Sequence, residues 1–239
     1  MKISARIRKL AELAPACESA ADIGTDHGYL PIELCRLGKV THMIASDIHR
    51  GPAERAEAHV RDCGLSECID VRLGNGLSVI RPGEISGAVI AGMGGGLMLS
   101  VLEESAAVTD SLEWILLQPM NHVSQVRHWL AVRGWEIGKE TFVLEDGQLY
   151  QMMLCRKGLM MFQDALWEEI GQIHWQRKER LFDRHLTGLI HRRELLIRGR
   201  FRGGSVQKKA ADDIKEAQER KDFLEVLLWK YRQAVSSKS

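Results

Sequence analysis

The chain has 239 residues, 45% of them hydrophobic and 27% charged, with a formal net charge of +1. Length and composition exclude a disordered chain, a collagen and a disulfide-stapled miniprotein, and leave room for one full α/β domain plus a smaller element. The neutral total hides a split: residues 1–155 carry 14 Lys and Arg against 20 Asp and Glu, whereas residues 156–239 carry 19 against 12. One portion is therefore acidic by six charges and the other basic by seven, and a single total describes neither.

The opening Met1-Lys2-Ile3-Ser4-Ala5-Arg6 lacks the apolar core of a signal peptide, and no apolar run approaches the ~20 residues of a membrane span. Strand candidates follow at Ala20–Gly24, His42–Ile48, Ile69–Leu73, Gly87–Ala91, Trp114–Gln118, Trp135–Val143 and Tyr150–Arg156. Helical stretches separate the first five. Gly51-Pro52 opens one, with proline in its first turn, and Gly64 closes it; another runs from about His122 to Arg133, where Gly134 stops it. Such alternation predicts a mostly parallel sheet covered on both faces. The last two strands are joined only by Glu145-Asp146-Gly147-Gln148, too short for a parallel crossover, so they form an antiparallel hairpin.

After Lys157-Gly158 strand signals vanish. Two long helical stretches, about Met160 to Ile197 and Val206 to Val235, flank a glycine- and arginine-rich turn and read as an antiparallel helical hairpin. In the second, Ala210, Ile214, Ala217, Leu224, Leu228 and Tyr231 recur at three- and four-residue steps, a coiled-coil-like seam that Lys221 interrupts. The expected domains are 1–158 and 159–239. Five cysteines form no Cys-x-x-Cys pair and have no histidine at zinc spacing, so no metal is expected, and reduced thiols suit a cytoplasmic protein.

The first strand runs through Asp22-Ile23-Gly24-Thr25-Asp26-His27-Gly28 into a helix, and glycines at such a turn let a nucleotide approach the backbone. About 25 residues on, Asp47-Ile48 ends the second strand with an acid placed for a ribose hydroxyl pair. NAD enzymes and S-adenosylmethionine enzymes share this geometry. Asp22 favours the second, sitting where a methyltransferase keeps an acid near the cofactor's amino-acid end. Asp26 also takes the place of the fingerprint's middle glycine and would repel a pyrophosphate. With the terminal hairpin, the pattern reads as a Rossmann-like class I methyltransferase sheet of seven strands.

Asp26 has two readings. It is an N-cap for the following helix, or it is a carboxylate beside the reacting methyl. Adenine N1 carries a free lone pair at neutral pH, so attack needs no general base, and a carboxylate nearby would stabilise the cationic ring and take an amine proton afterwards. At the fourth strand's end lies Gly92-Met93-Gly94-Gly95-Gly96; Met93 either packs on the cofactor's base or caps the core, and the glycines would admit a flat substrate. The fifth strand ends in Gln118-Pro119, where Gln118 offers a donor and an acceptor to a base edge or is simply a strand exit.

Together, residues 21–31 (Ala-Asp-Ile-Gly-Thr-Asp-His-Gly-Tyr-Leu-Pro), Ala91-Gly92-Met93-Gly94-Gly95, Leu117-Gln118-Pro119, Glu145-Asp146-Gly147 with Tyr150, and Ser4-x-Arg6-Ile7 resemble the bacterial tRNA adenine-22 N1-methyltransferase family. The resemblance covers roughly residues 3–157. It implies a class I methyltransferase using S-adenosyl-L-methionine, a helical hairpin that helps hold tRNA, and Asp26 as the leading catalytic candidate. The cofactor set is then Asp22, Gly24, Thr25, His27, Gly28, Asp47, Ile48, Asn75, Gly76, Gly92 and Met93. Gly74-Asn75-Gly76 departs from the pattern, since many relatives carry an acid there, although an Asn carbonyl also accepts from an adenine amine. The expected substrate contacts are Arg6, Gly94, Gly95, Gln118, Pro119 and Tyr150, with Arg192, Arg193, Arg198, Arg200 and Arg202 on the hairpin tracking phosphates. The alternative for those arginines is a solvated, salt-bridged face. The chain is expected to act as a monomer on tRNA, away from membranes. Two other readings stay open: a small-molecule methyltransferase, and a non-catalytic nucleotide-binding module whose seam pairs between chains.

Overall fold

The computed structural model describes residues 3–201 and 208–236, and of residues 200, 201 and 208–211 the backbone alone. The chain divides into two compact units, residues 1–163 and 164–239.

The first unit is a seven-stranded sheet. Its strands are β1 (Cys17–Ile23), β2 (Val40–Asp47), β3 (Ile69–Leu73), β4 (Gly87–Met93), β5 (Trp114–Pro119), β6 (Trp135–Glu145) and β7 (Gln148–Lys157). They lie in the order β3-β2-β1-β4-β5-β7-β6. β1 to β5 pair in parallel, whereas β7 runs antiparallel to both β5 and β6. The β6–β7 turn is Asp146-Gly147 alone, both with positive φ (49° and 78°), the left-handed pair that a two-residue hairpin demands. Successive residues Val89 and Ile90, and Ile115, Leu116 and Leu117, are all buried, so both faces of the sheet are covered, as parallel strands require.

The helices of this unit are α1 (Ala5–Leu13), α2 (Tyr29–Arg36), α3 (Arg50–Asp62), α4 (Gly95–Glu104), α5 (Ala106–Ser111) and α6 (Val123–Val132). Leu10, Leu30 and Leu34 of α1 and α2 join Val89 and Leu116 in one core cluster. Buried between α6 and the hairpin, Arg127 Nε donates to Glu140 Oε1 at 2.8 Å and its Nη2 donates to Gln151 Oε1 at 2.7 Å. Removing one partner of a pair so deeply buried costs about 3–5 kcal/mol, because the other charge stays behind.

The second unit departs from the expected pair of long helices. The stretch expected as one helix from Met160 to Ile197 is three: α7 (Ala165–Ile170), α8 (Gln172–Arg177) and α9 (Phe182–Phe201). Asp164 caps α7 by accepting from Leu166 N at 2.7 Å. Gly171 (φ 87°) and the left-handed Lys178 (φ 56°) end α7 and α8. The longest helix, α10 (Lys208–Ser236), packs on α9. The pairing is antiparallel: Arg232 binds Asp183 at 2.6 Å, and the Phe182 and Tyr231 rings meet edge to face at 5.2 Å. The seam is buried at Leu224, Leu228 and Tyr231 and half-buried at Ile214 and Ala217, while the side chain of Ala210 lies outside the described residues. Among the described residues no helix is long and apolar enough to cross a membrane.

Candidate active site

Register brings the site together. Ile23 pairs with Ser46 on one side and Ile90 on the other, so β1, β2 and β4 end side by side. Because β1 is followed by connections on one side of the sheet and β4 on the other, a crevice opens where ligands of α/β sheets bind. It measures about 400 Å³ and is lined by Arg6, Ile7 and Leu10 of α1, the β1–α2 loop, and Ala91-Gly92.

The β1–α2 loop is drawn tightly over β2: Gly24 and Thr25 N–H both donate to Ser46 O at 2.9 Å. Gly24 has φ 76°, and a Cβ there would stand 3.2 Å from Met93 Cε, so a side chain at this position is both strained and crowded. Met93 reaches the loop because the β4–β5 register slips between Ala91 and Met93.

Asp22 is buried at the crevice floor. Burial is the main force that pushes its carboxyl up to about 6; Thr25 offsets part of this, and the Asp47 charge adds to it. Among the described residues His27 Nδ1 is buried without a hydrogen-bond partner. Asp47, also buried, accepts from Asp26 N–H at 3.2 Å and from His49 N–H at 2.9 Å, which fixes it at the β2 terminus.

Asp26 itself lies in left-handed backbone (φ 50°), and its side chain is 58% exposed. It does not cap α2. The N-cap is Gly28, and the Asp26 carboxylate instead meets Arg55 Nη2 at 3.0 Å and His27 Nε2 at 3.4 Å. Left-handed backbone at a residue other than glycine gathers at functional sites. The His27, Tyr29 and His59 rings lie nearly parallel, with mutual centroid distances of 5.2–5.7 Å, and His27 O is 3.0 Å from His59 Nδ1. Arg6 sits at the rim, its guanidinium 5.2 Å from the Tyr150 ring centroid and its N–H bound to Glu145 Oε1 at 3.1 Å.

The crevice thus gathers Arg6, Asp22, Gly24, Thr25, Asp26, His27 and Gly92, with Met93 and Asp47 one contact away. Ile48 is exposed beside Asp47. Gly28 faces α3, where a Cβ would touch Ala56 at 3.4 Å, and Asn75 is exposed with its amide 3.4 Å from Glu104 Oε2. The left-handed Gly76 backs onto Val101.

Three sets of expected contacts stand in a different setting. Gln118 and Pro119 are both buried, and the Gln118 amide donates to Pro119 O at 3.3 Å; the exposed part of that strand exit is Met120, Asn121 and His122. Gly94 and Gly95 lie against Asn121: a Cβ on Gly95 would come within 2.7 Å of Asn121 O, and Gly95 N–H donates to Asn121 Oδ1 at 3.1 Å. Arg193 is taken up by Glu169 and largely buried with it, leaving Arg192 and Arg198 exposed on α9. The side chain of Arg200, and Arg202 altogether, lie outside the described residues. Arg55, His59, Asn121 and His122 were not singled out from sequence; a charge or amide on a helix flank or loop carries no spacing signal until its partner is known.

Comparison with known proteins agrees with this geometry. A family described as a methyltransferase domain matches residues 3–153. Over 158 residues the chain is 37% identical to the tRNA (adenine(22)-N(1))-methyltransferase of Bacillus subtilis, the match spanning 66% of each chain, just under two thirds of that relative. The crystal structure of the B. subtilis m1A22 tRNA methyltransferase superposes with a TM-score of 0.84 at 29% identity, covering 95% of this chain and 99% of that one. A Streptococcus pneumoniae protein in complex with S-adenosyl-L-methionine superposes at 0.80 and 29% identity, covering 92% and 100%. The chain belongs to the methyltransferase-domain family, and within it is similar to the tRNA (adenine(22)-N(1))-methyltransferases.

Proposed function

We propose that this chain is a cytoplasmic tRNA methyltransferase that uses S-adenosyl-L-methionine to methylate N1 of an adenine, at position 22 by likeness to its relatives. The observation that carries the proposal is the buried Asp22 carboxyl at the floor of a crevice of about 400 Å³, a size suited to a small-molecule cofactor. An acid with no cation partner among the described residues fits a ligand that brings its own ammonium group. Asp22 would hold the cofactor's amino-acid end, the Gly24-Thr25 loop its middle, and Asp47 with the exposed Ile48 its ribose and base. When bound, the cofactor supplies a methyl group made electrophilic by a sulfonium.

Within that reading, each residue has a definite task. Asp26 faces the crevice as a carboxylate and stabilises the positive charge that N1 alkylation places on the adenine ring. It also accepts a proton from the exocyclic amine as the ring returns to neutrality. Tyr29, in the same lining, offers a flat face for stacking of an extruded base. Arg6, held over Tyr150, positions a cation at the rim where the RNA backbone enters. On the basic helical unit, Arg192 and Arg198 take phosphates as a monomer grips the folded RNA.

The test is methyl transfer from labelled cofactor to tRNA, with the modified nucleoside identified by mass spectrometry and its position mapped by reverse-transcription stops. N1-methyladenine at position 22 is expected. Label in another base, or calorimetry that detects a different nucleotide and no S-adenosylmethionine, would replace this reading.

A further inference from the structure

We infer that Arg55, on the second turn of α3, is the positioning residue for the Asp26 carboxylate: it fixes the plane of the acid without touching substrate. The inference rests on the functional reading above. Asp26 stands on a left-handed backbone with more than half of its side chain exposed, so nothing in its burial limits its side-chain torsions. Its N–H bond to Asp47 holds the backbone and leaves those torsions free. Two contacts act on the carboxylate itself. Arg55 Nη2 donates to Oδ1 at 3.0 Å, and His27 Nε2 stands at 3.4 Å from Oδ2. The first is the shorter and carries a permanent charge.

Arg55 reaches this oxygen by lying across Gly51, where a Cβ would stand 3.5 Å from Arg55 Nη1. Asp26 lines the crevice and Arg55 does not; the guanidinium holds Oδ1 and leaves Oδ2 on the His27 side. Both partners are about half exposed, and an ion pair of that kind contributes little to folding. Its worth lies in aim: small misplacements of a reacting group cost large factors in rate. A bland surface pair would be equally exposed, but it would not share its acid with the site.

Arg55→Gln and Arg55→Lys are compared with the native chain and with Arg50→Gln. Arg50 lies on the same helix and pairs with Glu54 at 4.0 Å, away from the crevice. Arg55→Gln is expected to lower kcat by about 10- to 100-fold. KM for tRNA, cofactor affinity and Tm should stay within about threefold or a degree. Arg55→Lys restores part of kcat, and Arg50→Gln leaves it unchanged. In an Asp26→Asn background Arg55→Gln adds no further loss, since it acts through that carboxylate. A readout independent of turnover is NMR of the Arg55 guanidinium, whose hindered rotation should be released by Asp26→Asn. Full or increased kcat in Arg55→Gln, or the same proportional loss in both backgrounds, overturns the inference. Should the native chain methylate no tRNA at all, the functional reading fails, and the guanidinium signal alone decides whether Asp26 and Arg55 hold each other.

Discussion

At the amino ends of β1, β2 and β3, Glu18, His42, Asp70, Arg72 and Glu84 help line a cavity of about 500 Å³, larger than the crevice of about 400 Å³ at the carboxyl ends. Its central charges are satisfied by one another. Arg72 donates to Asp70 at 2.7 Å, to Glu84 at 2.7 Å and to Val79 O at 2.8 Å, and Glu84 accepts from Arg81 N–H at 2.8 Å. The crevice is the reverse, with a buried acid that no cation among the described residues answers. The two acids record the contrast in opposite directions: Arg72 holds Glu84 down to about 2, whereas burial pushes Asp22 up to about 6. The larger cavity is thus the one whose charges are already met within the protein, and the smaller is the one that keeps a desolvated acid.

That contrast is open to attack at several points. The largest effect is expected from Asp26→Ala, which should lower methyl transfer by about 10²- to 10³-fold, the usual loss for one charge-stabilising group, while calorimetry finds cofactor affinity within a few-fold. Equal loss of binding would make Asp26 a cofactor ligand instead. Next comes Asp22→Asn, expected to weaken cofactor binding by at least about tenfold and yet to raise the Tm of the ligand-free protein.

The sign follows from linkage. The folded carboxyl titrates at about 6 against 3.8 for its ordinary value, so the folded state holds the extra proton between those limits. Stability therefore falls as pH rises through that window, by up to about 3 kcal/mol, and Asn removes the penalty. Cofactor affinity of the native chain should rise with pH through about 6, because the ionised acid is the one that pairs with an ammonium. A flat affinity profile between pH 5 and 7 would show that Asp22 is not that partner.

Arg72→Met, at the other end of the sheet, should leave kcat unchanged and cost about 1–2 kcal/mol at pH 7, discounted for partial exposure. Glu84 is held below its ordinary 4.5, so the stability it supplies is present above that value and is lost as pH falls toward 2. Urea melts across this range should find the acid loss blunted in the variant. The smallest effect belongs to Arg198→Ala on α9. It should weaken tRNA binding only a few-fold and reduce the salt slope by about one, with cofactor binding intact.

Much of this was readable in the sequence where punctuation is unambiguous. Ile69–Leu73 coincides with β3 because Gly74 stops it, and the Asp146-Gly147 turn forces the hairpin. The loop from Asp22 to Gly28, with Asp47, was found because strand-to-helix glycines and a distal acid have a fixed spacing. The failures share a cause. Residues 160–181 keep an apolar rhythm through Gly171, and the break at Lys178 depends on a backbone conformation that no composition reveals. Gln118 reads alike whether a strand exit is open or buried, and only the folded chain shows it buried. Arg55 is one more charged residue on a helix until Asp26 is seen beside it.

The left-handed backbone at Asp26 has an evolutionary consequence. Few side chains other than Gly, Asn and Asp settle there without strain, so the conformation screens substitutions before chemistry does. The neighbours most easily reached by drift, Asn and Gly, fold comfortably and lack the carboxylate. A lineage can therefore lose the acid silently, keeping an intact and soluble fold, and selection for activity alone is left to hold Asp26 in place.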